Sequence, residues 1–188
     1  SAGANGTNTL TLSGSQADIN ATLATLVYQG AANYTGVDTL TVTSTDANSG
    51  SDVDTVAITV TSQNDAPVLA DTALTLTVAE DAGAPSGAVG SLVSAFTGGI
   101  TDVDSGAVKG LAITGSNETN GTWYYTTNSG TAWNALGAVS ESSARLLAAD
   151  ANTRLYFQPN ANYNGTISNA ITFRAWDQTS GTNGATTS

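Results

Sequence analysis

The sequence contains no cysteine, no histidine and no methionine, and Lys109 is its one lysine. Without cysteine the chain forms no disulfide and offers no thiolate for metal binding or catalysis. The absence of histidine removes the most common general base and the usual partner that activates a nucleophile. No apolar run approaches the ~20 residues that a membrane-spanning helix requires. These absences argue against an enzyme and against membrane insertion.

Basic residues are also scarce, because 4 Lys and Arg stand against 15 Asp and Glu, for a formal net charge of −11. Such a surface repels nucleic acid and anionic membranes and attracts divalent cations. Hydrophobic residues make up 40% of the chain, which is enough for packed cores. The abundant Thr, Ser, Asn and Gly favour short strands and turns over long helices. We therefore expect an all-β chain with one large or two ordinary domains.

The most informative stretch covers residues 40–69. Apolar residues alternate with threonine at period two from Leu40 to Asp46 and again from Val56 to Val60, which predicts a half-buried antiparallel hairpin. The polar segment Gln63–Pro67 follows, and Pro67 ends the ladder because it has no N–H to donate. The pattern predicts a hinge between two domains.

Other elements follow from local patterns. Ser15 with Asp18 three residues later resembles a capping box and predicts a short helix over Ser15–Leu26. Further strands are predicted at residues 8–12, 27–28, 74–78, 109–114, 121–126 and 132–136. A second short helix is predicted over Glu141–Ala149, so that each domain would contain one.

The chain also contains an internal repeat. Residues 26–36 correspond to residues 155–165, and residues 40–46 correspond to residues 171–177. Similarity over this length predicts two homologous domains, each a sandwich. The first copy has only its second half, and the second copy lacks a final strand of the DTVAITV type. Either the chain is an internal piece of a longer exported array, or each subunit is completed by a strand from its neighbour.

Several of these motifs resemble the cadherin-like repeats of very large secreted bacterial surface proteins. They are a strand closing on Asp46, a strand of the ITV type, the linker Asn64–Val68, Glu80 and the run Asp102–Gly106. The resemblance implies tandem Ig-like, cadherin-like antiparallel β-sandwiches. Residues 1–64 would be the C-terminal half of one domain, and residues 65–188 a second domain without its last strand.

The candidate metal ligands are carboxylates near the hinge. Calcium takes about six to eight oxygen ligands, and Asp102 and Asp104, two positions apart in a turn, can point to one side around a single ion. The resemblance adds five further ligands, which are Asn64, Asp65, Asp177, Asp46 and Glu80. The alternative is that these aspartates are solvated turn residues, since Asp favours turns on its own account.

The resemblance implies that these ligands belong to different junctions between domains. Asn64, Asp65 and Asp177 would join the Asp102 turn at the top of the second domain and clamp it to the first. Asp46 would do the same for the first domain toward a preceding module, and Glu80 would face a following linker.

Three aromatic residues, Trp123, Tyr125 and Trp133, suggest a second type of site. An exposed aromatic face can stack on a sugar ring, and more often such residues fill a core or the cross-strand contacts of a hairpin.

We therefore expect a non-enzymatic, calcium-stiffened structural or adhesion module at the cell surface. Its partners would be neighbouring repeats of the same chain or identical subunits, and surface glycans if the aromatic residues bind sugar. Two alternatives remain, a filament or surface-layer subunit completed by strand exchange and a carbohydrate-binding module.

Overall fold

Strands are the main regular element of the computed structural model, which describes residues 9–70 and 73–187. Within these residues the structure has one α-helix, Gln16–Leu23 (α1), and eleven strands. The strands are Gly36–Thr45 (β1), Ser51–Val60 (β2), Val68–Leu69 (β3), Ser91–Leu92 (β4), Ile100–Thr101 (β5), Gly110–Ser116 (β6), Gly121–Thr126 (β7), Asn134–Ala135 (β8), Arg145–Ala148 (β9), Arg154–Pro159 (β10) and Ile171–Trp176 (β11). Every pair of neighbouring strands is antiparallel. The predicted all-β class is confirmed. None of the helical segments described is long and apolar enough to cross a membrane.

The contacts along the chain divide it into two compact units, Ser1–Ser62 and Gln63–Ser188. The division comes two residues before the predicted boundary between Asn64 and Asp65. As a result, both of these linker residues belong to the second unit.

The first unit contains the predicted helix and hairpin. The Ser15 side chain caps α1 by accepting a hydrogen bond from the backbone N–H of Asp18, as the capping-box pattern predicts. The hairpin pairs β1 with β2 in continuous register from Gly36 opposite Val60 to Thr45 opposite Ser51. No residue among 9–62 is buried, so the described part of this unit has no closed core.

Two strand predictions in the first unit are wrong where the structure describes them. Residues 9–12 and 27–28 form no strand, and residue 8 lies outside the described residues. These segments alternate in the way a strand does, but the described strands of this unit, β1 and β2, pair with each other and not with residues 10–12 or 27–28. Alternation by itself does not form a strand, which also needs a neighbouring strand to pair with.

The second unit has two main sheets around one core. One sheet has the strand order β4-β10-β7-β8, the other has the order β11-β6-β9, and the short strands β3 and β5 form a separate pair. Both sheets contribute to the same core, with Trp123 and Phe157 from the first sheet and Leu111 and Leu147 from the second. A smaller cluster of Leu146, Ala148 and Trp176 forms apart from the main core.

Two predictions for the second unit are corrected. Residues 141–149 do not form a helix, because β9 pairs with β6 and buries Leu147 in the main core and Leu146 in the smaller cluster. Burial of neighbouring residues in two different clusters stabilises the strand by more than the helix propensity of Ala and Leu would stabilise a helix. The helical segment that the unit does contain in its described residues is a 3-10 turn at Val93–Phe96. Residues 74–78 form no strand either, although Leu74, Leu76 and Val78 alternate as predicted.

Candidate functional site

The turn after β5 positions Asp102 and Asp104. The backbone N–H of Asp104 donates a 2.9 Å hydrogen bond to Oδ1 of Asp102. The second carboxylate oxygen of Asp102, Oδ2, is buried and has no hydrogen-bond partner among the described residues. An unpaired buried carboxylate oxygen is costly, so this atom calls for a water molecule or a cation.

The linker residues bind to this turn and to the end of β11. The backbone N–H of Asp65 donates to Oδ2 of Asp104 at 2.8 Å. The side-chain amide of Asn64 donates to Oδ2 of Asp177, directly after β11, at 2.9 Å. The start of the second unit is thus tied to two acidic positions that are far apart in the sequence.

Asp177 is the residue of this group whose ionisation is clearly perturbed. The hydrogen bond from Asn64 is the main cause that holds the pKa of Asp177 below its ordinary value. Partial burial opposes the shift, and the backbone N–H and hydroxyl of Thr179, which both donate to Oδ1 of Asp177, lower the pKa further. Asp177 is therefore a carboxylate at neutral pH.

The five residues Asn64, Asp65, Asp102, Asp104 and Asp177 fit calcium by the chemistry of their donors. Carboxylate and amide oxygens are the ligands that calcium prefers, and the unpaired oxygen of Asp102 has no competing donor. Their placement is more open than that of a closed site, since no three His, Cys, Asp or Glu within residues 9–70 and 73–187 are grouped to hold a metal. N–H groups occupy the facing oxygens of Asp104 and Asp177.

Asp46 and Glu80 are not hydrogen-bonded to this group. Asp46 closes the turn of the β1–β2 hairpin, where its Oδ1 accepts from the backbone N–H groups of Asn48 and Gly50, each at 2.8 Å. Glu80 is exposed and lies on the wall of a cavity in the second unit.

The aromatic residues are mostly interior. Trp123 is 2% exposed and packs against Phe157 with ring centroids 5.0 Å apart, while Tyr125 is 8% exposed and lies under the guanidinium of Arg145. Trp133 is half-buried, and its indole N–H donates to the carbonyl of Gly87 at 3.1 Å. This geometry favours core and hairpin packing over a sugar-stacking platform, because two of the three rings have no free face.

The sequence patterns do not predict a cavity that the second unit contains. It has a volume of about 850 Å³, is open to solvent, and is lined by residues 73–80, by residues 163–171 and by Phe96, Trp123, Phe157 and Phe173. The one signal in the sequence was the alternating segment 74–78, which has the pattern of a strand and finds no partner.

The chain matches no protein-family model, no curated protein and no solved structure.

Proposed function

We propose that this protein is a non-enzymatic structural or adhesion module of a large, repetitive extracellular surface protein. In this proposal the second unit is an Ig-like, cadherin-like β-sandwich, and the first unit is part of a second one. Calcium stiffens the chain where the linker enters the second unit. The two sheets around a shared core and the internal repeat support the architecture.

The observation that carries the proposal is the connection of the linker to the acidic turn. Asp65 is hydrogen-bonded to Asp104, and Asn64 is hydrogen-bonded to Asp177. The neighbouring Asp102 has a buried carboxylate oxygen with no hydrogen-bond partner among the described residues. Bound calcium would supply positive charge that offsets the mutual repulsion of these carboxylates. The residues that would hold it already fasten the linker to the second unit.

Composition supports a role without catalysis. The chain has no histidine or cysteine to act as base or nucleophile. The carboxylates of the candidate site are bonded to backbone and amide N–H groups, which suits a structural link.

To test the calcium proposal, the metal-stripped full chain is unfolded with and without added calcium, and tryptophan fluorescence monitors the unfolding. All three tryptophans, Trp123, Trp133 and Trp176, lie in the second unit, so the signal reports that unit. A ligand that binds only the folded state raises its stability by ~2.7 kcal/mol at a hundredfold excess over the dissociation constant. We expect a calcium-dependent rise of this order.

Two matched variants locate the effect. Asp104→Asn removes one carboxylate of the proposed site and should abolish most of the calcium-dependent rise. Glu118→Gln removes one equal charge from an exposed turn of the same unit and should leave the rise intact. No rise in the unmodified chain, or an equal loss in both variants, would contradict the proposed site.

A specific observation also favours the filament alternative. Among the described strands, β11 has a neighbour on one side alone, so the second unit presents an edge to which another strand can add.

A further inference from the structure

The second unit has a large cavity beside its core that is open to solvent. The cavity of about 850 Å³ is lined by residues 73–80, by residues 163–171 and by aromatic side chains that include Trp123, Phe157 and Phe173. Apolar surface that faces water is a favoured place for other apolar side chains to pack. The apolar part of this wall can therefore bury side chains from another segment.

The edge of a sheet borders this cavity. Strand β11 pairs with β6 on one side, and no strand within residues 9–70 and 73–187 pairs with its other side. Ile171 and Phe173 on β11 line the cavity, whereas Thr172 and Arg174 are exposed. Open edges of this type are templates for strand addition.

The internal repeat indicates which strand fits this edge. Residues 40–45 of β1 correspond to residues 171–176 of β11, and the partner of β1 is β2. The ladder irregularity between β11 and β6 leaves Thr114 of β6 as the extra residue, so β11 itself runs without interruption. The pairing of β1 with β2 can therefore be carried over to β11 residue by residue.

Strand β2 also has apolar side chains that its own unit leaves uncovered. Val56, on the same face of β2 as Ile58, is 51% exposed, and no residue of the described part of the first unit is buried. A two-stranded hairpin is at best marginally stable in water. The chain thus has an apolar strand without a core and, in its other unit, a core with room for an apolar strand.

We propose that the free edge of β11, with the cavity beside it, binds strand β2 of a second copy of this chain. The added strand is antiparallel to β11, with Val56 opposite Ile171, Thr55 opposite Thr172 and Asp54 opposite Phe173. Val56 and Ile58 face the cavity, and Asp54 lies at its solvent-open rim. Strand β2 leaves β1 to pair with β11, as in donor-strand complementation. Because each chain has one donor strand and one acceptor edge, the contact is head-to-tail and extends into chains of subunits. The inference does not depend on calcium.

Disulfide cross-linking tests the register, because the natural chain has no cysteine. Thr172→Cys chains are mixed with isotope-labelled Thr55→Cys chains under mild oxidation, and mixed dimers are counted by mass spectrometry. Directly opposite residues have Cβ atoms ~4.5–5.5 Å apart, close to what a disulfide needs. We expect at least a tenfold higher yield than with Thr59→Cys, which lies on the same exposed face of β2, ~13 Å away along the strand. Equal yields would overturn the proposed register.

A second measurement uses the unmodified chain. A peptide with the sequence of residues 51–61 should slow amide hydrogen exchange in β11 and dissociate oligomers, and the same peptide with Ile58→Asp should do neither. Sedimentation should show mass rising with protein concentration, in calcium and in chelator alike. Protection of β11 by the peptide in a chain that stays monomeric would overturn the second copy as the occupant, and absence of protection would overturn the site.

Discussion

The two copies of the internal repeat share their local conformation and differ in their surroundings. Asn33 and Asn162 have φ of 59° and 60°, and Gly36 and Gly165 have φ of 135° and 152°. After this shared bend, β1 pairs with β2 in a unit whose described residues are all unburied, whereas β11 packs on a core and has one edge that no described strand covers. The comparison teaches that the repeat sequence sets the bend and the strand, while the rest of each unit decides what the strand buries.

The aspartate that ends each strand makes the same point. Asp46 accepts hydrogen bonds from its own turn, at Asn48 and Gly50. Asp177 also binds its own turn at Thr179, and in addition it accepts from Asn64, which is distant in the sequence. Equivalent residues therefore serve a local cap in one copy and a linker contact in the other.

The largest expected effect is the loss of stability when a core side chain of the second unit is truncated, compared with a similar truncation in the first unit. Ile113 is fully buried in the second unit, so Ile113→Ala should lower the free energy of unfolding followed by tryptophan fluorescence by ~2–5 kcal/mol. Leu40→Ala, on the half-buried face of β1, should change this transition by less than ~0.5 kcal/mol, since the tryptophans report the second unit and β1 belongs to the first. A large effect of Leu40→Ala would mean that the two units unfold together.

A smaller effect tests the shared bend. Gly36 and Gly165 have backbone conformations that side chains rarely adopt, so alanine at either position should cost ~1–3 kcal/mol. Gly165→Ala should lower the tryptophan-monitored stability. Gly36→Ala should instead speed amide hydrogen exchange in β1 and leave the fluorescence transition in place. If either substitution is neutral, that copy does not need the bend.

The tyrosines of the two bends should respond differently. The Tyr34 hydroxyl donates to the carbonyl of Val37 at 2.6 Å, as expected for a tyrosine that braces a bend, whereas the Tyr163 hydroxyl makes no hydrogen bond within the described residues. Tyr34→Phe should cost ~1 kcal/mol, seen as faster exchange in β1. Tyr163→Phe is the matched control and should leave amide hydrogen exchange in β11 unchanged. If both substitutions speed exchange equally, the Tyr34 hydroxyl does not brace its bend more than the Tyr163 hydroxyl braces its own.

The smallest effect concerns the titration of Asp177. Because the pKa of Asp177 is lowered in the folded chain, the ionised carboxylate stabilises the second unit above about pH 4, and this stability is lost as the pH falls through the lowered pKa. Asn64→Ala removes the main cause and should move the pKa up toward its ordinary value. NMR titration of the Asp177 carboxyl measures this, with Asn48→Ala as the control in the other copy. An unchanged pKa in Asn64→Ala would show that the hydrogen bond is absent in solution.

Local features of the chain were predictable. The hairpin of β1 and β2, the cap of α1 by Ser15 and the strands β6 and β7 all follow from alternation or capping patterns that depend on neighbouring residues. Errors arose where a long-range partner decides the outcome. Residues 141–149 look helical in isolation and form β9 because β6 lies beside them.

The candidate site was predictable in part. The turn at Asp102 and Asp104 could be proposed from spacing, and the family resemblance added Asn64, Asp65 and Asp177, which the structure connects to each other or to this turn by hydrogen bonds. Burial of Trp123 and Tyr125 could not be read from the sequence, because alternation does not tell which face of a hairpin meets the core.

By itself, the sequence determined the all-β class, the repeat, the acidic charge and the exclusion of disulfide and thiol chemistry, since each depends on residue type and local spacing. Only the tertiary structure decided that Asn64 bonds to Asp177, that Asp102 has an unpaired oxygen and that β11 borders an open cavity. These features depend on which distant segments meet, and contacts between distant segments are set by the packing of the whole unit.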